Sequence, residues 1–349
     1  MGEEKQTRIT SFNSYFQRCL RPELERFERI RKLRLPFCIL LIALGVSGFF
    51  TLLLYYIAPE SNAPAIPFYT FLLLAMIAFL YRYAILPMLH KRNLIGNYSG
   101  LIFGNEDRRL EYSQNVLTRV AAFAKPGLRW GAAERIHQGD FMESDLTNNF
   151  FNTYKGRDLF IGQHGRVRMA FSWLRVEYIK KDKNDNNPSQ LLFNGWFFVL
   201  RFPRRFFGRT IIYPDIAEAA MGWFGRSVQG FTVPPGFELV HLEDVDFEKF
   251  FMVHSEGQLE ARYVVRPSFM RAASAARKRV KGPVAMSFRH ECMFLAFPSI
   301  TEHFTFLPTR QFTDPTFTKH FYQAIKSVCE LAEDIQANQI IWRDSMNTL

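Results

Sequence analysis

Along most of the chain hydrophobic and polar positions are mixed, but two runs near the N-terminus are apolar on every side. The first, FCILLIALGVSGFFTLLLYYI over 37–57, carries no charge and reaches the ~20 residues that cross a hydrocarbon core. The second, 66–89, is interrupted only by Arg82, close enough to its end for the guanidinium to reach headgroups. Pro87 kinks or ends it. A helix buried on one side would keep a polar stripe, and neither run does. The pattern predicts a two-helix transmembrane hairpin over 37–89. A cleaved secretory signal does not fit, because the first run starts late, is too long, and lacks a small-residue cleavage site.

The flanks predict orientation. Arg26, Arg29, Arg31, Lys32 and Arg34 precede the first run, and His90, Lys91 and Arg92 follow the second. The connector APESNAPA has Glu60 as its only charge. The positive-inside rule then places both termini in the cytoplasm, with Arg31, Lys32, Arg34, Arg82, Lys91 and Arg92 at the membrane interface. Within 1–36, Phe12, Phe16, Leu20, Leu24, Phe27 and Ile30 recur at intervals of four and three, which predicts an amphipathic helix. Glu23, Glu25 and Glu28 lie among its bases, favouring packing on the folded part of the chain over lying on a membrane.

From 94 to 349 the pattern is that of a globular domain. Leu110–Ala124 reads as a helix closed by Lys125-Pro126-Gly127. A turn at Gln163–Gly165 separates two extended runs. Val167, Met169, Phe171 and Trp173 alternate, then Leu174, Val176 and Tyr178 continue on a shifted phase, which predicts a bulge near Trp173. KDKNDNNPSQ reads as a hairpin loop; it lacks the central Gly and terminal Glu of a calcium-binding EF-hand. LLFNGWFFVLRF is the returning strand, and RTIIYPD a further short one. The stretch 242–270, LEDVDFEKFFMVHSEGQLEARYVVRPSFM, reads as strand, turn at Glu256-Gly257, strand, then a helix opened by Pro267. That helix has Phe269, Ala272, Ala273, Ala276 and Val280 on one side, and Arg271, Ser274, Arg277, Lys278 and Lys281 on the other. PVAMSF and CMFLAFP predict a hairpin turning about Arg289–Glu291. A last helix starts near Asp314-Pro315, with Phe321, Ile325, Val328, Ala332 and Ile335 as its core stripe. The expected fold class is α+β: an N-terminal two-helix transmembrane hairpin, then a cytoplasmic domain with antiparallel sheet and flanking helices.

Composition agrees with a packed core, at 48% hydrophobic and 22% charged. A net charge of +11 favours an anionic partner without choosing between nucleic acid and acidic lipid. Cys19, Cys38, Cys292 and Cys329 form no CxxC pair, which argues against a disulfide scaffold and fits reduced, cytosol-facing thiols.

Three stretches, GRDLFIGQHGRVRMAFSW, LFNGWFFVLRFPRRFFGRTIIYPD and the 242–270 segment, occur in an order that resembles a bacterial family, the domain of unknown function numbered 3137. The resemblance covers the chain from roughly residue 95 onward. It implies a paired membrane span ahead of the domain, and hence the bacterial inner membrane. It implies no reaction, ligand or catalytic residue.

The chemistry legible in the residues is sparse. His290 and Cys292 would share a strand face, with Glu302 and His303 nearby, but no second spaced pair accompanies them. No metal or cofactor is expected. Glu243, Asp244, Asp246 and Glu248, with His254, could supply a general base. The same acids read more simply as capping and bridging a turn, with Asp246 or Glu260 paired to Arg262. GxSxG, HExxH and Walker-type motifs are absent. His254, His290 and Asp244 are therefore the only catalytic candidates, and a non-enzyme is the expectation. Two basic sets stand out: Arg201, Arg204 and Arg205 among aromatics, and Arg271, Arg277, Lys278 and Lys281 on the helix. Beside anionic lipid each exposed cation contributes ~1 kcal/mol; solvated charge is the plainer reading.

These features lead to a membrane-anchored cytoplasmic interaction or scaffold module, its basic face toward anionic lipid headgroups or an acidic protein partner. The alternatives are a membrane-surface enzyme and nucleic-acid binding at the membrane, the latter without an RNP, KH or helix-turn-helix pattern. The partners implied are the bilayer itself, anionic headgroups, and a protein or a second copy of the chain.

Overall fold

A computed structural model of the chain describes residues 11–29, 32, 48–49, 56, 106–147, 149–179, 189–214, 233–298 and 311–337. The chain divides into two compact units, Met1–Val116 with Phe304–Pro315, and Leu117–His303 with Thr316–Leu349.

In the first unit, Ser11 caps α1 (Phe12–Tyr15), its hydroxyl accepting from Ser14 N at 3.2 Å. The helix passes through a π turn at Phe16–Leu20 and continues to residue 29. The side chains account for the wide turn. Phe12, Phe16, Leu20 and Leu24 repeat every four residues, more than the 3.6 of an α-helix, and a widened turn keeps them on one side. All four are buried, as is Phe27. The chain returns in α2 (Glu106–Tyr112) and a second π turn, Ser113–Leu117. The Phe27 ring meets Tyr112 at 5.6 Å and Phe312 at 5.9 Å. Arg26 pairs with Glu111 at 2.9 Å, and the Glu28 carboxylate accepts from Phe312 N at 3.0 Å. The amphipathic N-terminal helix thus packs on protein, although Ile30, the last residue of its predicted stripe, lies outside the described residues.

Among the described residues, the second unit is built on one antiparallel sheet of nine strands in the order β1-β2-β3-β4-β9-β8-β5-β7-β6. The strands are β1 (Arg129–Gly131), β2 (Thr153–His164), β3 (Val167–Ile179), β4 (Ser189–Arg201), β5 (Thr210–Pro214), β6 (Glu238–Val240), β7 (Phe251–Ser255), β8 (Ala285–Arg289) and β9 (Cys292–Pro298). Among the described residues its helices are α3 (Thr118–Ala124), α4 (Gln138–Glu143), α5 (Val245–Glu248), α6 (Gln258–Val264), α7 (Pro267–Val280) and α8 (Thr316–Ala337). The predicted bulge exists but falls three residues later, between Val176 and Glu177 opposite β4; a second lies between Arg157 and Phe160 in β2. Gly195 sits in mid-strand because β9 crosses closely there: a Cβ would stand 2.2 Å from the Phe297 carbonyl oxygen.

Alternation along the strands separates two faces. One carries Phe160, Phe171, Trp196 and Phe288. Helix α8 covers it through Phe321, whose ring lies 4.6 Å from Trp196, and α7 through Phe269, 5.6 Å from Phe288. The other carries Leu174, Phe193, Phe197, Ile211, Phe294 and Ala296, and is covered by α4 and its flanks through Ile136, Phe141 and Leu146. The whole stripe predicted for α8 is buried.

Two expectations are corrected. QLEARYVV is a helix, α6, and not a strand. Both edges of β7 are already taken, by β5 and by β6, so a hairpin partner has no vacant edge to join. The transmembrane hairpin is also overturned: among the described residues no helix is long and apolar enough to cross a membrane. Apart from Gly48, Phe49 and Tyr56, the runs 37–57 and 66–89 lie outside the described residues, as do Arg31, Arg34, Arg82, Lys91 and Arg92. Hydropathy reports that a run avoids water without saying what excludes the water. With the hairpin go the integral contact with the bilayer and the inner-membrane location with both termini cytoplasmic. The fold class that stands is α+β, an antiparallel sheet with flanking helices.

Candidate functional site

After β6 the chain turns through 241–244 and is held by two side chains. Asp244 caps α5, its carboxylate accepting from Phe247 N at 3.0 Å, while Glu248 accepts from Leu242 N at 2.9 Å. Phe247 is buried against Phe251 of β7 at 4.9 Å, which fixes α5 to the sheet. At the end of β7, Ser255 Oγ accepts from Gly257 N at 3.3 Å and α6 begins. It buries Ala261 and Val264, and Pro267 then opens α7.

Between these elements lies a cleft of about 620 Å³, open to solvent. Val265 and Met270 form its buried lining, with Leu242 half-buried. Glu243, Asp244, Val245 and Asp246 form one lip; His241, Arg262 and Pro267 complete the rim. Val245 keeps 68% of its surface exposed, a large apolar side chain turned to water. Contrary to the expectation from sequence, Arg262 pairs with neither Asp246 nor Glu260; its guanidinium donates weakly to the His241 carbonyl at 3.5 Å. Asp246 instead takes Lys249 at 2.8 Å, and this hydrogen bond holds the carboxyl below its ordinary pKa.

Charge is divided along the chain here. Residues 238–263 hold seven acids against Lys249 and Arg262, whereas 264–281 hold six Lys and Arg and no acid. Arg277, Lys278 and Arg279 occupy the last turn of α7, where cations complement the negative end of the helix dipole. Arg277 and Lys278 also lie over the Phe250 ring, at 5.9 and 5.6 Å. Arg279 bonds Glu330 of α8, while Arg271 and Lys281 are exposed.

The other predicted site residues are placed elsewhere. Arg201 is paired with Asp140 and lies 3.7 Å from Glu291, and Arg205 bonds His290 Nδ1 at 3.0 Å. Next to them is a cluster that sequence reading missed. Asp145 accepts from both Arg209 (3.0 Å) and Arg289 (2.9 Å), and Arg209 also binds Glu256. The Glu256 carboxyl is held below its ordinary range by Arg209, and the Arg209 pKa is raised in turn. This clamp ties the 137–146 segment to the sheet. No spacing in the sequence announces it; in the structure Asp145 has φ 54°, a conformation that Asp tolerates better than most residues.

His254, His290 and Asp244 do not converge. His254 lies on β7 with its ring 6.0 Å from Tyr213, and burial lowers its pKa. Its Nδ1 has no hydrogen-bond partner among the described residues. Asp244 belongs to α5, whose Phe247 packs on Phe251; strand alternation puts Phe251 on the face opposite to His254. His290 sits at φ 52° in the β8–β9 turn. Cys292 is buried, with its thiol pushed up to about 12 by desolvation. Among the described residues, no three His, Cys, Asp or Glu side chains are placed to hold a metal ion.

Fold and site together define an α+β domain with a nine-stranded antiparallel sheet and an open cleft beside its last strand. Residues 191–337 match the family described as protein of unknown function, DUF3137. That match takes in two of the three stretches that carried the resemblance and the whole cleft; the first stretch, 156–173, lies before it. The membrane anchoring that the resemblance implied is not supported, since no described helix could span a bilayer. No curated protein matches the chain. Among solved structures it is similar to the crystal structure of the mycobacterial trehalose monomycolate transport factor A, TtfA, at 10% identity and a TM-score of 0.32, over 61% of this chain and 92% of that one.

The functional readings that began from the membrane are corrected on the same ground. The membrane-anchored scaffold, the membrane-surface enzyme and nucleic-acid binding at the membrane all rested on the hairpin, and they are set aside with it.

Proposed function

We propose that the second unit is a protein-binding domain that receives a polypeptide segment in the cleft of residues 241–270. The observation that carries this reading is the composition of that cleft. It has a buried apolar lining, an exposed apolar residue on its lip, and a polar rim, the arrangement found where a side chain of a partner is anchored. Its volume of about 620 Å³ is that of a ligand site, but its openness suits a chain laid across it better than a molecule enclosed in it. The exposed face of α6 extends the surface, with Leu259 and Tyr263 one turn apart and 60% and 40% exposed.

Selection of peptides from a random library on the whole chain, followed by hydrogen exchange, tests the reading. Selected peptides should protect amides within 241–270 and lose about tenfold in affinity on Val245→Arg, which places a long charged side chain on the lip. Protection confined to other segments would overturn it.

A further inference from the structure

Resting on the binding role just proposed, we infer that the segment the cleft receives is cationic and apolar, with Lys or Arg interleaved with Leu- or Met-like side chains. The apolar requirement comes from Leu242, Val245, Val265 and Met270. The cationic requirement comes from the state of the three acids on the lip. Glu243 is exposed and has no partner among the described residues. Asp244 uses one oxygen to cap α5 and keeps the other. Asp246 bonds Lys249, in a pair that is exposed on both sides, 78% for the acid and 62% for the lysine, and feels a weaker attraction from Lys278 of α7, so an incoming cation can displace the lysine at little cost. Among the described residues of the rim Arg262 is the one full cation, and it is turned to the His241 carbonyl. Exposed acids around an apolar lining are complementary to a partner that brings both cation and hydrocarbon.

The basic face of α7 lends itself less to binding an acidic partner. Its last-turn cations already complement the helix dipole, two of them lie over Phe250, and Arg279 is matched by Glu330. The net charge of the chain sharpens the test. At +11 the whole molecule repels cations, so a preference for a cationic probe must arise locally.

The experiment measures binding of three labelled peptides of equal length to the full chain by fluorescence anisotropy. The probes alternate Leu with Lys, with Ser, or with Glu. The Lys/Leu peptide should bind about tenfold tighter than the Ser/Leu peptide, and Glu243→Lys with Asp246→Lys should abolish that preference while the melting temperature holds. Asp244 is left intact because it caps a helix. Equal binding of the Lys/Leu and Ser/Leu peptides, both lost on Val245→Arg, would keep the binding domain and overturn the cationic partner. Preference for the Glu/Leu peptide would overturn it in favour of the α7 face. Binding of none of the three, with no library peptide protecting 241–270, would remove both proposals. Self-association of the chain that the Glu243→Lys, Asp246→Lys variant abolishes would assign the cleft to a second copy and also overturn the inference.

Discussion

Two charged regions of the second unit differ in how their charges are met. In the clamp around Asp145, Arg209 and Arg289 share one carboxylate, Arg209 takes a second from Glu256, and Arg201 is matched by Asp140. On the lip of the cleft, Glu243 stands in solvent and Asp246 is met by an exposed lysine and, more weakly, by Lys278. In sequence both look like dense charge. The arginine-rich stretch 201–209, one of the two basic sets expected to contact a partner, turns out to supply much of its charge to internal pairs. Charge density alone therefore does not mark a working surface. Under the proposed binding role, what marks it is open charge beside apolar surface left uncovered.

Asp145→Asn should break the comparison most visibly. Asn tolerates the left-handed backbone at φ 54° as Asp does, so the change removes charge without straining the turn. Arg209 and Arg289 keep 31% and 28% of their side-chain surface, so the cost should fall below that of a fully buried pair, at about 2 kcal/mol in urea unfolding. A loss under ~0.5 kcal/mol would place the clamp with ordinary surface pairs.

Acid unfolding sharpens the contrast. Glu256 and Asp246 both have folded pKa values depressed by a hydrogen-bonded cation. The stability such a group supplies is complete above its unfolded pKa, ~4, and is lost as pH falls through the lower folded value. Glu256→Gln should therefore flatten the fall of stability below pH ~4, measured as the urea midpoint against pH. Asp246→Asn should leave that fall unchanged, since its pair is fully exposed. His254 titrates at a higher range with a related sign: burial lowers its folded pKa, so stability is full above ~6.5 and falls as the pH drops below it. His254→Phe should remove that slope.

Smaller effects come from the α7 cations and the lip. Lys278→Glu reverses a charge in the last turn and should cost about 0.5 kcal/mol by chemical unfolding. Glu243→Gln with Asp246→Asn should change stability by less than ~0.5 kcal/mol, although both line the cleft. A larger loss would mean that the lip is a structural pair like the clamp.

Much of the second unit is legible in the sequence. The long hairpins of β2, β3 and β4, the β8–β9 hairpin turning at His290, and the buried stripe of α8 follow from alternation and helical spacing. The segment 128–152 offered no such period, so α4 and the Asp145 turn went unread. The 242–270 stretch was recognised as distinctive, and Asp244 as a turn-capping acid. The cleft itself has no signature in the sequence, because its lining comes from a loop, three helices and a residue between two of them.

By itself the sequence determined the periods: which residues alternate, which recur every three or four positions, and where Gly and Pro break the pattern. Those are local consequences of backbone geometry and survive in any environment that offers an apolar side. It could not decide what supplies that side. The runs 37–57 and 66–89 read as membrane spans because hydropathy cannot tell lipid from any other shelter from water. Residues 258–265 read as a strand because Tyr and Val favour one, until β5 and β6 occupied both edges of β7. Which charges are quenched and which stay open was likewise a tertiary decision, since Asp145 meets Arg209 and Arg289 from positions far apart along the chain, and Coulomb attraction depends on distance in space and not along the chain.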